Sequence, residues 1–73
     1  MKATLEFNLP DDKEDFDLAT RALSWYSIVW DMDQYLRSRL KYEDSLSEDS
    51  YKALEEAREK LREIINDKGV TLE

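Results

Sequence analysis

Residues 18–40 read LATRALSWYSIVWDMDQYLRSRL, and the spacing of apolar side chains within them decides the fold. Leu18, Ala22, Trp25, Val29, Met32, Leu36 and Leu40 recur at steps of three and four. Ala19, Leu23, Tyr26 and Trp30 make a second stripe beside the first. At about 100° of rotation per residue, these side chains with Ile28 and Tyr35 spread over more than half of a helix circumference. No glycine or proline interrupts them, so the pattern predicts one helix from about residue 12 to about residue 41. An apolar face this wide calls for more than one neighbour.

The flanking segments supply candidates. On the N-terminal side, Ala3, Leu5, Phe7 and Leu9 alternate with Thr4, Glu6 and Asn8, which predicts a half-buried strand over residues 3–9. Pro10 ends it, having no N–H for a ladder, and Asp11 or Asp12 is placed to cap the helix that follows. On the C-terminal side, residues 43–47 form a short connection. Ser47 is a good N-cap, with Leu46 placed to pack on Tyr51, and a second helix over about 48–68 presents Tyr51, Leu54, Ala57, Leu61, Ile64 and Ile65 on one face. Gly69 as a left-handed cap, with Val70 touching Ile65, marks the end of that helix. Residues 70–72 then read as a short extended segment. The final Leu72-Glu73 also matches the pair that commonly precedes a purification tag.

The expected fold is therefore mainly α: an N-terminal β-strand followed by an antiparallel two-helix hairpin, in one domain completed by dimerisation. A lone strand leaves its backbone groups unpaired, so the strand is expected to pair with another chain, most simply its own two-fold mate. Pairing with residues 70–72 of the same chain stays open.

Composition narrows the function. The chain has 73 residues with no cysteine and no histidine, which excludes disulfides, thiolate and imidazole metal sites, cysteine nucleophiles and histidine bases. Eighteen acidic against eleven basic residues give a net charge of −7, a poor match to nucleic acid and a better one to a basic protein. No apolar run approaches membrane-spanning length and no basic leader precedes one, so a soluble, cytoplasmic protein with no membrane partner is expected.

Asp33 falls by rotation inside the apolar arc, among Tyr26, Val29, Trp30 and Leu36, and must find a partner there. Arg37 one turn on and a nearby chain end are the expected ones. Trp25 and Trp30 are five positions apart and point about 140° away from each other. Trp25 is expected to face the second helix, and Trp30 the strand or a second chain. With the Leu18–Leu36 stripe assigned to the second helix, the predicted contact surface for a mate or partner comprises Leu5, Phe7, Leu23, Tyr26, Trp30 and Asp33. Asp11, Asp12, Glu14, Asp15 and Asp17 form an acidic surface that solvates the chain, caps the helix or mimics a phosphate backbone. Its spacing does not fit a calcium loop, and a strand with two helices offers little cleft for paired catalytic carboxylates. No catalytic, metal or cofactor site is predicted, and the chain is read as a non-enzyme.

The run Leu5-Glu6-Phe7-Asn8-Leu9-Pro10 with the acidic stretch behind it, then Trp30-Asp31-Met32-Asp33-Gln34-Tyr35-Leu36-Arg37 and Leu46-Ser47-Glu48, resembles a group of small phage and prophage accessory proteins of unassigned function. The resemblance covers nearly the whole chain, with the Trp-Asp-x-Asp-Gln segment its distinctive part. It implies a viral accessory protein working in the bacterial cytoplasm and carries over no functional residues. Two functions follow as expectations: a protein-binding protein that engages and inhibits a basic host or defence protein, or a structural protein whose role is its own homo-oligomerisation.

Overall fold

In the computed structural model, residues 1–72 are described, and they form three helices: α1 (Lys13–Thr20), α2 (Ala22–Tyr42) and α3 (Glu48–Asp67). Helices α2 and α3 are the antiparallel hairpin that the sequence predicts. At about 1.5 Å per residue their 21 and 20 residues give rods of matching length.

The one long helix expected over 12–41 is instead two, divided at Arg21. Arg21 leaves helical geometry at φ −101°, ψ 8°, and beside it the Thr20 hydroxyl donates back to the Phe16 carbonyl at 2.9 Å, the kind of bond that competes with the helix ladder. The backbone path stays nearly continuous, because Arg21 N–H still donates to Asp17 O and Trp25 N–H to Arg21 O, both at 3.1 Å.

The predicted N-terminal strand is not formed, and there is no strand among the described residues. Alternation gave residues 3–9 a strand's pattern but no partner ladder, and local bonds take over instead. Asn8 N–H donates to the Asp12 carboxylate at 2.9 Å, and Asp12 N–H returns to Asn8 O at 2.7 Å, closing a turn ahead of α1. Phe7 packs edge-on against Phe16, ring centroids 5.7 Å apart, which ties the irregular segment to α1. Asp12 thus occupies the N-cap position of α1 without capping it, its carboxylate being committed to Asn8.

Both ends of α3 follow the expected chemistry. The Ser47 hydroxyl accepts from Ser50 N–H at 3.1 Å as the N-cap. At the other end Gly69 sits at φ +73°, Gly69 N–H donates to Asn66 O at 3.0 Å, and Val70 N–H donates to Ile65 O at 3.3 Å. That pair of bonds is the Schellman closure, and it turns residues 70–72 back along α3 towards α2.

The core is small. Leu36 and Leu72 are the only buried apolar side chains among the described residues, supported by half-buried Val29 and Leu40 from α2 and Leu54, Leu61 and Ile65 from α3. The molecule measures 53 × 26 × 18 Å with a radius of gyration of 17.3 Å. A compact chain of this length would have a radius of about 11 Å. The extended form leaves most of the surface of α1 and half of α2 uncovered.

Candidate protein-binding surface

The hairpin is organised around one polar cluster. Asp33 comes from the middle of α2 and has no accessible surface at all. Arg58 donates to it through Nε at 3.1 Å and Nη2 at 3.4 Å, and Arg62, one turn further along α3, through Nε at 3.3 Å and Nη2 at 3.0 Å. Gln34 adds a longer bond at 3.4 Å. Burial pushes the carboxyl up, but the two guanidinium groups, through their hydrogen bonds and charge, outweigh it and hold Asp33 below the ordinary carboxylate range. The cluster lies one side chain deep, since Arg58 and Arg62 keep 28% and 42% of their side-chain surface exposed. The guanidinium groups form the lid that shuts out water.

Asp33 therefore has its required partner, but not the expected one. Arg37 lies outside the cluster, and the chain end binds elsewhere. The Tyr26 hydroxyl donates to the Leu72 carbonyl at 2.6 Å, clasping the C-terminal segment onto α2, while Leu72 is buried. Beside this clasp lies an open apolar hollow of about 300 Å³ walled by Trp25, Val29, Ile65 and Val70. The acidic–basic pair that closes the hairpin and the clasp that ends it are both formed by α2 side chains on the α3 side.

The residues predicted to form one contact surface do not converge. Asp33 is sealed inside the hairpin, so it offers nothing to a partner in this conformation. Tyr26 and Trp30 stack with ring centroids 6.5 Å apart and interplanar angle 13°, and both remain partly exposed at the hairpin's edge. Leu23 is exposed, Leu5 is exposed on the irregular N-terminal segment, and Phe7 is half-buried against Phe16. The acidic group stays together at the entry to α1. Asp11, Glu14 and Asp15 face solvent, Asp12 is turned to Asn8, and Asp17 bonds Lys13 at 2.7 Å. That hydrogen bond, with the neighbouring positive charges, lowers the Asp17 carboxyl from its ordinary value against an opposing effect of burial.

Trp25 borders α3 as expected, sharing the hollow with Ile65, yet it stays 56% exposed, as do Ile28 at 57%, Met32 at 53% and Tyr35 at 51%. Ile28, Met32 and Tyr35 follow one another along the side of α2 that α3 leaves open, with Trp25 at its edge. The α3 face turned to α2 is shifted from the predicted one by less than one helix position: Arg58 and Arg62, bonded to Asp33, are part-buried on it, while Ala57 and Ile64 are exposed. The sequence did carry a signal for it: Arg58 and Arg62 stand at helical spacing on the same side as Leu54, Leu61 and Ile65, opposite an aspartate that needed them.

At the far end of α2, Arg39 bridges to Glu43 and donates from Nη1 to the Tyr35 hydroxyl at 3.0 Å. Among the described residues no helix is long and apolar enough to cross a membrane, and no three acidic side chains converge as a cation site. No family model, curated protein or solved structure matches the chain.

Proposed function

We propose that the chain is a small acidic protein-binding protein that engages a basic protein partner, in keeping with a phage-type accessory role in a host cell. The observation that supports it most is the segregation of its surface. The acidic residues gather at the entry to α1 (Asp11, Glu14, Asp15) and on the outer side of α3 (Glu55, Glu56, Glu59, Glu63), and all of these are exposed. Such a concentrated field attracts a basic patch over about a Debye length, roughly 8–10 Å at physiological salt. The part-exposed Trp30, stacked on Tyr26, supplies the kind of anchor that carries binding energy once two surfaces have met.

The test is affinity capture from bacterial lysate at about 50 mM and about 500 mM salt, with wild type and with a variant in which Asp11, Glu14, Asp15, Glu55 and Glu59 are neutralised to Asn or Gln. The reading predicts a basic protein recovered by wild type at low salt, lost at high salt and lost with the variant. Recovery of the chain alone, or a partner that survives both changes, contradicts it. Recovery alone favours the second reading, in which self-association is itself the function; the extended shape and small core support that reading.

A further inference from the structure

The open side of α2 has a finer order than general exposure. Trp25, Ile28, Met32, Tyr35, Arg39 and Tyr42 succeed one another at steps of three, four, three, four and three, the spacing of a seam that packs against another helix. All except Arg39 are more than half exposed. Rotation centres the seam roughly 130° around α2 from Asp33, so α3 occupies one flank and leaves the seam open except at Trp25, which borders the hollow beside Ile65. We infer that the seam is occupied by a second copy of the chain, its α2 packed antiparallel across a two-fold axis near Met32. This goes beyond the proposed binding role and does not rest on it, since that role concerns the acidic surface.

Area is the first argument. The chain exposes 6556 Å². A folded monomer of 8.7 kDa is expected to expose about 4,700 Å², leaving an excess of about 1,800 Å². A stable interface buries about 800 Å² from each partner, so the excess is ample for one.

Charge is the second, and it selects a like chain. Two copies at −7 each repel, but the seam is nearly neutral: Arg37 and Lys41 turn towards Glu55 and Glu59 of α3, and the seam's one charged side chain, Arg39, is bonded to Glu43. Helix α2 is the one helix of the three without an acidic excess, and the flank of the seam away from α3 is built from the short side chains Ser24, Asp31 and Ser38. Short flanks let two helix axes approach to about 8–10 Å. Charge also selects the direction. The basic residues lie in the C-terminal turns of α2 and the Asp11–Asp17 cluster adjoins its N-terminal end. Antiparallel packing sets basic end against acidic end, whereas parallel packing sets like against like.

The full chain, which lacks cysteine, permits a direct test by sedimentation and by single-cysteine oxidation. Wild type is expected at twice the 8.7 kDa chain mass at tens of micromolar, and Ile28→Asp at the chain mass. Met32→Cys, near the axis, is expected to cross-link to its own copy, while Tyr42→Cys and Leu23→Cys are not, because a disulfide needs Cβ atoms within about 4.5 Å. The cross-linking arm reads the contact even if the charged variant loses its fold. A wild-type monomer at that concentration, a dimer indifferent to Ile28→Asp, or self-cross-linking through Tyr42→Cys would overturn the inference. Each of these leaves the salt-dependent capture of a basic partner to be judged on its own.

Discussion

Asp33 on α2 is bound by Arg62 on α3, Nη2 to Oδ2 at 3.0 Å, with the carboxylate wholly buried and the guanidinium partly in water. With Arg58 beside it, this pair fixes the rotation of the two helices about each other. Replacing Asp33 by Ala leaves two guanidinium groups facing an apolar seam. The cost is expected at about 2–3 kcal/mol, below the range for wholly buried pairs because Arg58 and Arg62 retain solvent. A domain this size has only about 3–5 kcal/mol to lose. Thermal unfolding by circular dichroism should show a large loss for Asp33→Ala and Arg58→Ala, and little change for Arg37→Ala. Equal losses for Arg37 and Arg58 would contradict the assignment of partners.

The same cluster sets the response to acid. The folded-state value of Asp33 lies below the ordinary 3.8, so its contribution to stability is complete above that value and is lost as pH falls through the lowered one. Urea midpoints should therefore fall steeply below about pH 4 in wild type and less steeply in Asp33→Asn. Parallel pH profiles for the two proteins would remove Asp33 from the explanation.

Tyr26→Phe deletes a single hydroxyl and with it the bond to the Leu72 carbonyl. The expected loss is about 1 kcal/mol, accompanied by faster amide exchange in residues 70–72 and unchanged exchange at the centre of α3. Uniform acceleration would mean that the clasp stabilises the hairpin as a whole.

Gly69 tests the helix end separately. At φ +73° with nothing within 4 Å of an added Cβ, Gly69→Ala meets no clash and only backbone strain. A destabilisation of about 1 kcal/mol is expected, readable as a shifted denaturant midpoint at constant slope.

These particulars also show what could be read in advance. Ser47, Gly69 and the periodicity of α3 are local signals, settled by nearest-neighbour sterics and bonds, and they placed the hairpin correctly. The strand over residues 3–9 failed because alternation specifies a strand only when a ladder partner exists, and Asn8 and Asp12 instead satisfied each other. The burial of Asp33 was legible from rotation alone. Its partners showed only as helical spacing, Arg58 and Arg62 sharing the side of Leu54 and Leu61; they lie 25 and 29 residues away, and their pairing with Asp33 depends on how α3 is turned. Both sides of the wide apolar face keep exposed side chains: Leu23, Tyr26 and Trp30 on the side the sequence favoured, and Trp25, Ile28 and Met32 on the other.

We propose that this thin, open hairpin reaches its stable form by association, with the Ile28–Met32–Tyr35 side of α2 covered. Mass action makes that claim measurable in unmodified protein. The midpoint of thermal unfolding should rise by roughly 5–10 °C between about 1 µM and about 100 µM chain. A midpoint independent of concentration over that range would show that the hairpin stands alone, and would contradict it.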